Sequence, residues 1–113
     1  MQRIKDFIAS HRFPLTDEKE TQAKMEEALI AAGIPFEREV RLSDEDTVDF
    51  MIDSVAVEVK LKGSPTAIYR QLERYARHDC VAAVLLVTAR SMTLPPQIHG
   101  KRASVSSLSR AWL

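Results

Sequence analysis

The sequence has a single cysteine, no long apolar run and no net charge. Cys80, being alone, excludes an internal disulfide and a cysteine-based zinc cluster. It leads into an apolar stretch and reads as a small buried side chain. No segment approaches the roughly 20 consecutive apolar residues of a membrane-spanning helix, so no membrane partner is expected. The start, MQRIKDFIAS, lacks the apolar core of a secretory signal, and we expect a cytoplasmic protein. Sixteen Lys and Arg balance sixteen Asp and Glu, which argues against bulk attraction to nucleic acid. The charge is unevenly spread, however. Residues 1–60 carry 8 basic and 14 acidic residues, and residues 61–113 carry 8 and 2, so a basic face on the second half stays open.

What is present fits one small globular domain. The 113 residues are 45% hydrophobic and 28% charged, enough for one core of two packed layers. Residues 2–11 predict a short helix with Ile4, Phe7 and Ile8 on one side. Thr16 or Asp17 caps a second helix that ends before Gly33. FEREVRL (36–42) alternates like a strand with one wet face. TVDFMI (47–52) and VAVEVKLK (55–62) flank the tight turn Asp53-Ser54. Ser64 and Pro65 open a third helix that runs to about Arg77. VAAVLLVT (81–88) reads as a central strand buried on both faces. Residues 89–101 read as loop and 102–108 as a last edge strand. A helix joining two such strands implies a parallel crossover. The expected fold class is therefore α/β, a single domain with a mixed sheet flanked by helices. Its core is 16–88, preceded by the helix 2–11 and followed by an extension 89–113.

The hairpin carries the chemistry. With Asp53-Ser54 as its turn, Ile52 faces Val55, Phe50 faces Val57 and Asp49 faces Glu58. One face then holds Val48, Phe50, Ile52, Val55, Val57, Val59 and Leu61. The other holds Thr47, Asp49, Met51, Ala56, Glu58, Lys60 and Lys62. Opposed residues have Cβ atoms about 4.5–5.5 Å apart, and like charges there repel. A divalent cation gives two such carboxylates a purpose, because hard oxygen ligands suit Mg²⁺ or Mn²⁺. Lys60, on the same face, can reach a water or a phosphate oxygen, which assembles the parts for attack of water on phosphorus. The simpler reading is that Lys60 and Lys62 neutralise Asp49 and Glu58 as a solvated charge cluster.

Asp49, followed after eight residues by Glu58-Val59-Lys60 on adjacent strands, resembles the PD-(D/E)XK nuclease superfamily. Val48 stands where that motif's name has proline. The α-β-β-β-α-β order of residues 16–88 is similar to the restriction-endonuclease-like core of that family. The resemblance implies a Mg²⁺-dependent deoxyribonuclease, with Mn²⁺ able to substitute, that leaves a 5′-phosphate. It implies Asp49 and Glu58 as metal ligands, the Val59 carbonyl completing the shell, and Lys60 positioning or deprotonating water. Many members place an acid on the first core helix. Glu18, with Gln22 beside it, falls on the stripe of Met25, Ala28, Leu29 and Ala32 and is our choice; a first-turn acid favoured by the helix dipole is the alternative. Gln71 and Tyr75 resemble the Gln-x-x-x-Tyr of the recombination-exonuclease branch, and Tyr75 packing beside Ile68 and Leu72 is the alternative. Arg70, Arg74 and Arg77, with Lys62 and Gln22, are candidate DNA contacts; a solvated helix face is the alternative.

The organisation is similar to small nucleases of bacteriophages and prophages, which would act in a bacterial cytoplasm. A homodimer, or a phage or host partner, fits so small a domain. The competing expectation is a catalytically inactive nuclease-fold module that binds DNA or protein.

Overall fold

The structure is a computed structural model that describes residues 1–108. The chain runs α1 (Gln2–Ala9), α2 (Glu18–Ala31), β1 (Glu37–Arg41), β2 (Thr47–Ile52), β3 (Val55–Lys60), α3 (Pro65–Ala76), β4 (Ala83–Thr88), β5 (Gln97–Ile98) and β6 (Lys101–Ser107). Local chemistry sets the helix starts. The Asp17 carboxylate accepts the N–H of Lys19 at 2.8 Å, and Ser64 Oγ accepts that of Ala67 at 3.1 Å with Pro65 in the first turn. Gly33, at φ +68°, follows the end of α2 as a left-handed glycine should. Asp53 and Ser54 both take positive φ, the conformation a two-residue hairpin turn demands.

The six strands form one mixed sheet in the order β1-β2-β3-β4-β6-β5. β1, β2 and β3 are antiparallel neighbours, while β4 lies parallel to β3 and to β6. Every residue of β4 is buried, as its unbroken apolar run predicts for a central strand. The last long strand is not the edge, because Gln97 and Ile98, expected in a loop, pair antiparallel with β6 and take that place.

Helices cover both faces. On one, Phe50, Ile52, Val57, Val59, Leu85 and Val87 pack under α1 and α2 through Ile4, Ile8, Met25 and Leu29. On the other, Ala56, Val84 and Leu86 pack against Ile68, Leu72, Tyr75 and Ala76 of α3. The buried positions of α2 are Thr21, Gln22, Met25 and Leu29, whereas Ala32 caps the helix in solvent. Cys80 is exposed rather than buried. It sits in the turn after α3, and the residue that enters the core ahead of β4 is Val81.

Two expectations about the hairpin need correction. Leu61 and Lys62 do not extend β3, since their N–H groups go to the Glu18 carboxylate instead of a ladder. Val48 does not share a face with Phe50 and packs on the α3 side. Its partner Val40 lies there too, whereas Phe36 and Phe50 belong to the opposite face. Strict alternation therefore fails in both strands between these pairs. The intervening residues are Glu39 and Asp49, which both strand registers skip, and Glu39 has φ +51°. A left-handed conformation costs a non-glycine residue about 1–2 kcal/mol.

Candidate active site

At the carboxyl end of β3 a cleft of about 560 Å³ opens between the start of α2 and the β2–β3 pair. Its lining includes Glu18, Gln22, Asp49, Glu58, Val59, Lys60 and Lys62. The structure thus gathers the three motif residues, the chosen helix acid and its neighbour Gln22 in one place. The hairpin register is the one the turn predicts, with Phe50 opposite Val57, Met51 opposite Ala56 and Ile52 opposite Val55. Beyond Phe50 the ladder gives way to side chains. The N–H of Asp49 donates to Glu58 Oε1 at 3.2 Å, and the N–H of Val59 donates to Asp49 Oδ2 at 2.8 Å. Each carboxylate is therefore held by the backbone of the opposite strand through one oxygen.

These acids stand in an unusual environment. Glu58 is only 3% exposed. Burial and then the neighbouring Asp49 push its carboxyl up to about 8, against the pull of Lys60. Burial also raises Asp49, opposed by the Val59 N–H and Lys60. The Lys60 ammonium lies 3.6 Å from Glu58 Oε2 and is one-quarter exposed, so it faces both the acid and the cleft. Thr88 Oγ1 donates to the Lys60 carbonyl at 2.5 Å and so fixes the end of β3 to β4.

Glu18 is in the cleft, but one of its oxygens accepts the N–H groups of Leu61 and Lys62 at 2.8 and 3.3 Å. Among the described residues no three His, Cys, Asp or Glu side chains are gathered closely enough to hold a metal ion. The donor set that remains is the Asp49–Glu58 pair, two carboxylates bearing hard oxygen. That suits Mg²⁺, which keeps several waters and commonly takes one or two carboxylates. Val59 lines the cleft beside them.

Tyr75 follows the packing alternative, and neither it nor Gln71 lines the cleft. It is fully buried among Ile68 and Leu72, while its hydroxyl donates to the Thr47 carbonyl at 3.0 Å and accepts from Gln71 Nε2 at 2.8 Å. Burial, together with Glu58 and Asp49, raises its phenol above the ordinary value. The arginines divide. Arg74 Nε is bonded to the buried Asp46 at 2.9 Å, with His78 on the same carboxylate at 3.0 Å. Arg77 contacts Glu73 and His99. Arg70 is exposed on α3, and Lys62 is exposed at the cleft.

Sequence reasoning missed three neighbours of the site. Lys19 lines the cleft next to Glu18. Glu39 pairs with Lys19 at 3.5 Å. Arg38 donates to Gln22 Oε1 at 2.9 Å, contacts Glu26, and stacks 5.0 Å over the Phe50 ring. The signal for Arg38 was available, because it occupies a position in phase with Phe36 and Val40, where an alternating strand carries apolar residues. Comparison with protein-family models, with curated proteins and with solved structures yields no match for this chain.

Proposed function

We propose that this chain is a metal-dependent DNA nuclease that hydrolyses phosphodiester bonds with Mg²⁺, or Mn²⁺ in its place. The observation that carries the reading is the pairing of buried Glu58 with half-buried Asp49, each held by the other strand's backbone, with Lys60 beside them. Two acids side by side, one of them buried, repel, and a cation between them turns that cost into binding. The ordered α-β-β-β-α-β core around the motif supports the same reading.

Asp49 and Glu58 would hold the metal through the oxygens their backbone partners leave over. When bound, the metal supplies Lewis-acid activation of water and neutralises charge on the phosphate. The protein's own part is positional. Lys60 offers hydrogen bonds to the attacking water and to a non-bridging phosphate oxygen as negative charge grows there. Water oxygen bonds to phosphorus and gives up a proton to solvent, the bond from phosphorus to the 3′ oxygen breaks with its electron pair on that oxygen, and that oxygen takes up a proton from solvent. Glu18 ties the Leu61–Lys62 segment to α2, which keeps Lys60 from swinging away. Lys19, Lys62 and Arg70 offer cations to the DNA backbone, the sequence-independent part of binding. Such an activity belongs in the cytoplasm of a bacterial cell, where its DNA substrate is.

The test is cleavage of a mixed set of DNAs with Mg²⁺ or Mn²⁺, alongside folded Asp49→Ala and Lys60→Ala proteins. Metal-dependent cutting that disappears in both variants supports the reading. Absence of cutting, together with absence of metal binding by calorimetry, overturns it in favour of a silent DNA- or protein-binding module.

A further inference from the structure

The β1–β2 pair turns over at one position, and that position adjoins the site. Arg38 lies over Phe50 on the α2 side, whereas Val40 and Val48 pack on the α3 side. Between them, Glu39 and Asp49 stand outside the pairing, and Glu39 has φ +51°. The other non-glycine residues with positive φ are Asp53, Ser54 and His99, and all three sit in turns. Glu39 alone among the described residues takes this conformation inside a strand. Its side chain does not explain why. It is exposed, and its ion pair with Lys19 joins two solvated groups.

The backbone gives a reason. The two-residue turn at Asp53-Ser54 directs Phe50 toward β3, so in a regular strand Asp49 would bond toward β1, exchanging N–H and carbonyl with Glu39. Instead the Asp49 N–H reaches Glu58 Oε1, and the Asp49 carboxylate receives the Val59 N–H. The left-handed conformation at 39 falls at the position where the exchange is missing and Asp49 turns toward β3.

We propose that Glu39 is a positioning residue for Asp49, acting through its left-handed backbone and not through its carboxylate. Its purpose rests on the nuclease reading, while its geometric effect does not. A branched residue at 39 resists positive φ, closes the β1–β2 ladder and withdraws Asp49 from Glu58. Glycine and asparagine accept positive φ and leave the site intact.

The experiment compares Glu39→Gly, Glu39→Asn, Glu39→Gln and Glu39→Val, with Glu39→Thr as the milder branched change. In the metal-free proteins, the ¹H–¹⁵N signal of Val59 reports its bond to Asp49, calibrated by the shift in Asp49→Ala. We expect Gly, Asn and Gln to keep the wild-type signal and Val and Thr to move toward the Asp49→Ala position. In a Mg²⁺ titration of the same proteins, the branched variants lose about tenfold or more in affinity, the scale of losing a group that orients a ligand. Retention of the Val59 signal in both branched variants overturns the proposal. So does loss of Mg²⁺ affinity in Glu39→Gln with the signal intact, which would assign the effect to the carboxylate. Failure of Mg²⁺ to bind the wild type sinks the nuclease reading instead, and the amide series still decides the role of Glu39.

Discussion

Asp49 and Glu58 are joined through the Asp49 backbone N–H, which points at Glu58 Oε1 from 3.2 Å. The bond places a buried glutamate against a second acid; burial and then that neighbouring charge, opposed by the bond itself, make the protein's stability depend on pH.

Glu58 releases its proton near 4.5 in the unfolded chain and holds it up to about 8 when folded. Between those values the folded state binds the extra proton, so stability falls as pH rises. Thermal melts should show Tm declining from about pH 5 to about pH 8. Glu58→Gln should flatten that slope and melt higher than the wild type at the alkaline end. Saturating Mg²⁺ should flatten it as well, because the cation stabilises the ionised pair. A wild-type Tm that rises across the window would contradict the buried acid.

Lys60 contributes charge and position without supporting the core. Lys60→Ala should therefore fold normally and lose about 10²–10³-fold in kcat, the scale of one electrostatic donor. Asp49→Asn keeps an oxygen for the Val59 N–H and should also fold, but its Mg²⁺ affinity should drop. Circular dichroism checks the fold of both proteins, a cleavage assay the kcat of Lys60→Ala, and calorimetry the Mg²⁺ affinity of Asp49→Asn.

Glu18 accepts two backbone N–H groups with one oxygen, a task that glutamine can share. Glu18→Gln should hold Tm and most of the Mg²⁺ affinity. Glu18→Ala leaves two amides without their acceptor and should lose about 1–3 kcal/mol in denaturant unfolding. If Gln and Ala lose Mg²⁺ affinity equally at unchanged stability, Glu18 is a direct ligand and the anchoring role is wrong.

Asp46 ties the loop before β2 to α3 through Arg74 and to the turn after α3 through His78. Burial alone would raise its carboxyl, but the hydrogen bonds from His78 and Arg74 outweigh that and hold it below the usual value. Its contribution is present above the unfolded pKa and is lost as pH falls through the lowered one. Asp46→Ala should destabilise by about 1–3 kcal/mol near neutrality. Arg70→Ala should leave stability alone and reduce the salt dependence of DNA binding, by about one unit of slope. Equal effects of Arg70→Ala and Arg74→Ala on DNA binding, at equal stability, would contradict this division of the arginines.

The parts of the fold that depend on neighbours in sequence were legible. Caps at Asp17 and Ser64, the Asp53-Ser54 turn and the apolar run of β4 each obey a local rule, and the hairpin register followed from the turn. The cleft was legible for the same reason, since Asp49, Glu58 and Lys60 lie within one hairpin. What escaped was set by tertiary context. Val48 looked in phase with Phe50, and no local rule places a left-handed glutamate inside a strand. Spacing placed Glu18 at the cleft but could not show that one of its oxygens accepts the Leu61 and Lys62 N–H groups. Gln97-Ile98 was too short to stand out from a loop containing Pro95 and Pro96.

β4 receives its neighbours at different times during synthesis. β3 is made before it, but β6 begins only at Lys101, beyond the loop that follows β4. Until that strand arrives, one edge of AVLLVT offers unpaired amides and carbonyls on a fully apolar segment, with no charge or proline within it to discourage pairing with another chain. A chain cut short before Lys101 should therefore aggregate even with the α1–α2 side of the core complete. The final strand contributes nothing to the lining of the cleft, yet it should be what keeps nascent copies of the molecule apart.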